Sequence, residues 1–221
     1  MKKHVLAIAF LVLVTTIGKA QDKKPSDFIP EGFVTYEEYY GDVNKDGQED
    51  CILIIQGTNK DNYALNQFDK LVDRNRRGLI VLFKSQNGYQ LADKNYDCFY
   101  SATEDGGVYY APEISIDVVR GNLIVNYHHG RYGYWSYVLR YQDSKFKLIG
   151  YDHTSSYGPI INTETSINFL TKKKLIRENI NQDTEEGGNE IFEDTWYKIH
   201  IDKLISLSEI ADFNELDMEA Y

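Results

Sequence analysis

The chain has 221 residues, which is enough for one domain with a sizeable core. It carries 34 acidic against 24 basic side chains, a formal net charge of −10, and this balance argues against binding to nucleic acid or to an anionic membrane. Beyond the N-terminus no stretch approaches the roughly 18 consecutive apolar residues of a transmembrane helix, so no membrane span is expected.

Residues 1–20 have the pattern of a secretory signal peptide, with a positive start and then an apolar run of 14 residues, residues 5–18. We therefore expect a periplasmic or secreted protein, with an uncut N-terminal anchor as the alternative. Residues 21–32 are polar and contain two prolines, which predicts a tether. The remaining residues 33–221 are expected to form a single β domain that ends in an acidic tail.

The stretch GDVNKDGQED, residues 41–50, has the spacing of a calcium-binding loop. Asp42, Asn44, Asp46 and Gly47 occupy positions 1, 3, 5 and 6 of an EF-hand, but position 12 is Leu53, where that motif needs a bidentate glutamate. The run that follows is also typical of a β-strand rather than a helix. The EF-hand interpretation therefore fails at two independent points.

The spacing D-x-N-x-D-G-x-x-D before an apolar strand resembles instead the calcium hairpin of the FG-GAP or VCBS type, which recurs in integrin-like β-propeller blades. The resemblance covers about 15 residues, 41–55, and occurs once, whereas the family pattern is usually repeated. It implies a structural Ca²⁺ ion bound by side-chain oxygens of Asp42, Asn44, Asp46 and Asp50 and by the carbonyl of Gln48. A solvated turn rich in Asp and Asn is the alternative.

The chain has two cysteines, Cys51 and Cys98, and both lie in strand-like stretches. Since export would place them in an oxidising compartment, we predict a disulfide between them. The alternative is a pair of buried free thiols.

Short runs rich in Val, Ile, Tyr and Phe, separated by glycine and asparagine, predict antiparallel strands along most of the chain. Hairpin turns are predicted at residues 86–88, 120–122 and 142–145, the first because Asn-Gly between two apolar runs is a strong hairpin signal. Residues 166–181 fit either a hairpin or a short helix. The predicted fold is all-β, an antiparallel meander that forms either a β-propeller-like arrangement or a partly open sheet.

The segment 126–141, NYHHGRYGYWSYVLRY, is unusually rich in aromatic and basic side chains. It predicts either a half-buried strand or a platform for a partner, since Tyr, Trp and Arg dominate binding hot spots. The predicted binding patch consists of Tyr127, Arg131, Tyr132, Tyr134, Trp135, Tyr137, Arg140 and Tyr141.

The sequence contains no recognised catalytic motif, so an enzyme is not the favoured interpretation. We expect an exported, calcium-stabilised binding protein whose partner is a protein or a glycan. One alternative is a carbohydrate-active hydrolase that uses Glu104, Asp105 or Glu113 beside the aromatic segment. Another is an inhibitor of a foreign enzyme.

Overall fold

Antiparallel strands dominate the computed structural model, which describes residues 22–103, 111–130, 133–181 and 187–221. The alternation of β-branched and aromatic residues with Gly- and Asn-containing turns explains why these segments are extended. The all-β prediction and the three predicted hairpins are confirmed. The strands are β1 (Phe33–Gly41), β2 (Asp50–Gly57), β3 (Tyr63–Leu65), β4 (Leu71–Asp73), β5 (Arg77–Ser85), β6 (Gly88–Phe99), β7 (Glu113–Val119), β8 (Asn122–His128), β9 (Gly133–Gln142), β10 (Lys145–Tyr157), β11 (Ile160–Asn168), β12 (Lys173–Asn179) and β13 (Phe192–Lys198).

The strands form two large sheets and one small one. The first large sheet has the order β1-β2-β5-β6, and β3 pairs with β4 within the connection between β2 and β5. The second large sheet is a seven-stranded meander from β7 to β13, in which every strand pairs with its neighbours in the chain. Within the described residues both large sheets are open, so the open-sheet alternative holds rather than a propeller.

The two large sheets share one hydrophobic core. Ile52 and Ile54 of β2 face Leu123 and Val125 of β8 in a single cluster of buried side chains. Since strand residues alternate between faces, the remaining apolar residues of β2 form a second cluster on the outer side of the four-stranded sheet. Strand β2 is therefore a central strand that is buried on both faces.

The predicted tether is part of the domain from its first described residues onward. Lys23 forms a β-bridge with Gly88, and a 3-10 helix follows at Pro25–Phe28. Phe28 and Ile29 then pack on the outer cluster of the four-stranded sheet. The polar composition of this segment concealed this role, because Phe28 and Ile29 are the two of its described residues that pack on the outer cluster. Residues 1–20, the predicted signal peptide, lie outside the described residues.

The predicted acidic tail also folds back onto the domain. It contains 3-10 helices at Leu207–Glu209 and Phe213–Glu215, and Leu207, Ile210 and Phe213 are buried in the shared core. The ring of Phe213 stacks on Phe99 with 5.3 Å between centroids. Within the described part of the chain, no helix is long and apolar enough to cross a membrane.

The predicted disulfide between Cys51 and Cys98 is wrong, because both cysteines are free and fully buried. Cys51 belongs to the outer cluster, while Cys98 belongs to the core between the sheets. Strand β5 also separates their strands, and two strand spacings of about 4.8 Å exceed the reach of a disulfide.

Residues 166–181, for which the sequence allowed a helix or a hairpin, form a hairpin. Strand β11 pairs with β12 in a regular antiparallel register from Thr163↔Glu178 to Asn168↔Lys173. Lys172 precedes β12 with a positive φ of 54°, which gives the chain its reversal. Together with β9 and β10, these two strands build a groove that is described below.

Candidate functional site

The acidic loop, residues 41–50, is a tight turn closed by its own side chains. The main-chain N–H of Asp46 donates to Asp42 Oδ1 at 3.1 Å and to Asn44 Oδ1 at 2.9 Å. The N–H of Gly47 donates to Asp42 Oδ2 at 2.9 Å, and that of Gln48 donates to Asp46 Oδ1 at 2.8 Å. The loop therefore brings together the side-chain oxygens of Asp42, Asn44 and Asp46.

Asp50 has a different role from the other three. It is fully buried at the start of β2, where its two carboxylate oxygens accept hydrogen bonds from the main-chain N–H groups of Val43 and Lys84, at 3.0 and 2.9 Å. Lys84 lies in β5, so the Asp50 carboxylate ties the beginning of the acidic loop to the sheet. This geometry gives Asp50 a structural function that the ligand interpretation did not foresee.

The electrostatics of the acidic loop favour a positive charge. Burial raises the pKa of Asp50 above its ordinary value, the N–H groups of Lys84 and Val43 oppose this, and the charges of Asp46 and Asp42 add to it. Within the described residues, however, no group of three or more His, Cys, Asp or Glu side chains is arranged to hold a metal ion.

The predicted aromatic patch is divided between the two faces of the seven-stranded sheet. Tyr127 and Tyr137 are buried, with 4 % and 2 % of their surface exposed, and both belong to the shared core. Trp135 and Tyr141 are half-buried and pack against the same core. Tyr127 and Tyr137 are therefore core residues and do not form a surface patch, whereas Trp135 and Tyr141 keep part of their surface exposed.

The core role of these rings follows from their contacts. Trp135 stacks on Tyr127 at 5.2 Å between centroids, and Tyr137 contacts the ring of Phe213 at the same distance. Tyr134 is the aromatic residue of β9 that points away from the core, with 47 % of its surface exposed. Arg140 donates from Nε to Asn122 Oδ1 at 2.9 Å. Two further residues of the predicted patch, Arg131 and Tyr132, lie outside the described residues.

Tyr134 lies beside a groove on the outer face of the seven-stranded sheet, opposite to the core. The strand register places Tyr134, Thr154, Glu164 and Arg177 in one row across β9 to β12. Asp152 and Ser166 form part of the next row. This outer groove has a volume of about 330 Å³, and its lining includes Tyr134, Asp152, Thr154, Glu164, Ser166 and Arg177.

Arg177 organises the charges of the outer groove. Its Nη1 is 2.5 Å from Glu164 Oε2, and its Nε is 3.1 Å from Asp194 Oδ1 on β13. The hydrogen bond that Arg177 donates to Asp194 raises the pKa of the Arg177 guanidinium, and Glu164 adds to this effect. With Asp194 of β13 added, the row therefore combines the guanidinium of Arg177, two carboxylates and the exposed ring of Tyr134.

The sequence did not reveal the outer groove because its residues come from four strands. None of Asp152, Glu164 or Arg177 lies in a motif, and each looks like an ordinary solvated residue in its own strand. The available signal was the run of polar residues Asn162, Glu164 and Ser166 at every second position of β11, which share one face of the strand. That pattern indicates a strand but not its neighbours.

A search for similar proteins found no family model that matches the chain, and no curated protein or solved structure that matches it. The FG-GAP or VCBS resemblance of the acidic loop consequently stays a prediction from 15 residues, and the function has to be inferred from the residues themselves.

Proposed function

We propose that this protein is an exported binding protein that takes a short neutral glycan in its outer groove. The observation that carries the proposal is the exposed ring of Tyr134 beside carboxylate, guanidinium and hydroxyl groups in a groove of about 330 Å³. The C–H face of a sugar packs on an aromatic ring, while its hydroxyls exchange hydrogen bonds with such polar groups. The volume is at the lower end for a ligand site, which suits one or two sugar units.

The charges within the outer groove favour a neutral sugar over an anionic one. Asp152 and Glu164 contribute two carboxylates, and Arg177 contributes one guanidinium that Glu164 and Asp194 already engage. A uronic or sialic acid would therefore meet net negative charge. Hydroxyl groups can donate to the carboxylates without this repulsion.

The binding test uses an array of neutral and acidic oligosaccharides, followed by calorimetry on the sugars that bind. We expect Tyr134→Ala to weaken binding by about tenfold, equivalent to about 1.4 kcal/mol. Tyr157→Ala is the matched control, since Tyr157 is 81 % exposed on β10 and does not line the groove. The proposal fails if no neutral sugar binds or if Tyr134→Ala binds as tightly as the wild type.

The acidic loop supports a second, structural part of the proposal, a bound Ca²⁺ ion. Oxygens of Asp42, Asn44 and Asp46 converge within the loop, and Ca²⁺ prefers such hard oxygen ligands. An ion would also reduce the repulsion that Asp42 and Asp46 exert on Asp50. Against this, the carboxylates of Asp42, Asp46 and Asp50 do not form a metal-binding group as they lie, so binding requires a local adjustment of the loop.

Thermal unfolding in calcium and in chelator tests the ion directly. For an extracellular-type site with a Kd of about 0.1 mM, calcium at about 1 mM adds roughly 1.4 kcal/mol of stability. We expect this gain in the wild type and its loss in Asp46→Ala, while Asp61→Ala, a change at an exposed carboxylate elsewhere, keeps it. If the thermal unfolding curves of the wild type in calcium and in chelator superimpose, the protein has no such ion site.

The two alternatives from the sequence stay predictions. Of the carboxylates proposed for a hydrolase, Glu113 is exposed on β7, and Glu104 and Asp105 lie outside the described residues. An enzyme inhibitor would need an exposed aromatic surface, which the burial of Tyr127 and Tyr137 reduces.

A further inference from the structure

Strand β13 is an edge of the seven-stranded sheet that no other described strand covers. Six of its seven residues are exposed, including Trp196 at 63 % and Tyr197 at 49 %, and its register with β12 is regular. The other edges of the two large sheets are protected in ways that natural proteins commonly use. Strand β7 contacts β1, β1 contains a bulge, and β6 contains bulges and contacts the 3-10 helix at Leu207–Glu209.

The hydrogen bonds at the two ends of β13 define which of its main-chain groups point outward. Ile180 N–H donates to the carbonyl of Ile191, and Ile199 N–H donates to the carbonyl of Lys172. Because bonded and non-bonded pairs alternate in an antiparallel ladder, Glu193, Thr195 and Tyr197 use their main-chain groups on β12. The N–H and C=O groups of Phe192, Asp194, Trp196 and Lys198 therefore point away from the sheet.

The charges of β13 restrict how a second strand can pair with this edge. A two-fold pairing of two copies centred on Glu193 or on Asp194 places identical acids opposite each other, which is unfavourable. Centred on Trp196, the same pairing places Asp194 of each copy opposite Lys198 of the other. In this register, the hydrogen-bonded pairs between the two copies of β13 are formed by residues whose main-chain N–H and C=O groups point away from the sheet. It also gives Lys198 an acidic neighbour, whereas within one chain Lys198 lies opposite Lys173.

We propose that β13 pairs antiparallel with β13 of a second copy of this chain, about a two-fold axis at Trp196, so that the two seven-stranded sheets join. Charges on an edge strand usually prevent association. Here the antiparallel pairing brings Asp194 of each copy opposite Lys198 of the other, so the charges attract. The exposed rings of Trp196 and Tyr197 lie on opposite faces of the strand, so pairing reduces the exposure of both. The inference is independent of the sugar-binding proposal, because it rests on the edge of the sheet and not on its outer face.

Cysteine cross-linking tests the register. In a directly opposed bonded pair the two Cα atoms are about 5.5 Å apart, within the range that a disulfide spans. We expect Trp196→Cys to form a covalent dimer under mild oxidation. Phe192→Cys is the control, since its two copies would lie about 27 Å apart along the strands. The native cysteines do not interfere, because both are fully buried.

Sedimentation of the unmodified protein tests association without cross-linking. We expect the sedimentation coefficient of the wild type to rise with protein concentration. Lys198→Glu would place Glu opposite Asp194 and should abolish this rise. Lys60→Glu is the control, since it makes the same charge change on the connection between β2 and β5 and should preserve the rise. A wild type that is monomeric at every concentration, or equal cross-linking of Trp196→Cys and Phe192→Cys, would overturn the proposal.

Discussion

His153 links the core of the seven-stranded sheet to the pH of the solution. Its ring stacks on Tyr151 with 6.3 Å between centroids and lies 6.4 Å from the ring of Trp135. Burial lowers the pKa of His153 below its ordinary value, and the nearby Glu219 opposes this shift only in part. The folded protein therefore prefers the neutral imidazole.

The lowered pKa of His153 predicts a loss of stability on mild acidification. As the pH falls through about 6.5, the unfolded chain takes up the proton before the folded protein does, so the free energy of unfolding decreases. We expect a smaller decrease in His153→Phe, which keeps an aromatic ring but does not titrate. Urea denaturation at about pH 7.5 and about pH 5.5 measures the difference.

The control for this prediction is His200→Phe, because the side chain of His200 is 89 % exposed. It should leave the pH dependence close to that of the wild type. An identical decrease in the wild type and His153→Phe would contradict the prediction.

Among the elements, the β5–β6 hairpin depends on one close approach between its strands. The register shifts between Arg77 and Leu79, and this irregularity brings the main chain of Tyr96 against Gly78. A Cβ atom on Gly78 would lie 2.4 Å from the carbonyl carbon of Tyr96, which no side-chain movement can relieve. Only glycine fits at this position without separating the strands.

Gly78→Ala should therefore destabilise the protein by about 1–3 kcal/mol, the usual cost of overpacking. Gly150→Ala is the matched control in β10, since its nearest contacts would be at 3.4 Å, an ordinary van der Waals distance. Chemical denaturation of both variants measures the difference. Equal stabilities would show that the β5–β6 pair can separate at little cost.

The elements also show why the hairpins could be predicted from the sequence, whereas the exposed face of β9 could not. Alternating apolar residues and Asn-Gly or Arg-Gly turns are local signals, and they located the hairpins at residues 86–88 and 120–122. The two faces of β9 both carry tyrosine, so alternation could not identify which face meets the core. The face that meets the core carries Tyr137, which packs on Phe213, a residue distant in the sequence.

At the scale of the whole molecule, the C-terminal segment closes the space between the two large sheets. Phe213 is fully buried and contacts Phe99 of one sheet and Tyr137 of the other. Arg76 Nη2 also donates to Asp212 Oδ2 at 2.8 Å, which connects the same segment to the start of β5. The acidic composition of the last residues hid this role, because their few apolar side chains are the ones that are buried.

Phe213→Ala should destabilise the whole protein by about 3–5 kcal/mol, since it leaves a cavity where the sheets meet. Phe68→Ala makes the same change at a side chain that is 69 % exposed and should cost little. Thermal and chemical unfolding of both variants provide the comparison. A single cooperative transition with wild-type stability in Phe213→Ala would mean that the C-terminal segment only rests on a core that is already complete.

The separation of Cys51 and Cys98 on opposite faces of one sheet makes the fold indifferent to the redox state of its surroundings. Burial raises the pKa of the Cys51 thiol to about 12, and burial also raises that of Cys98, so the reactive thiolate is scarce at neutral pH. Neither an oxidant nor a reductant has a native bond to make or break. The molecule can therefore mature without an oxidative folding step, and its non-covalent interactions have to supply the stability that a cross-link would have given.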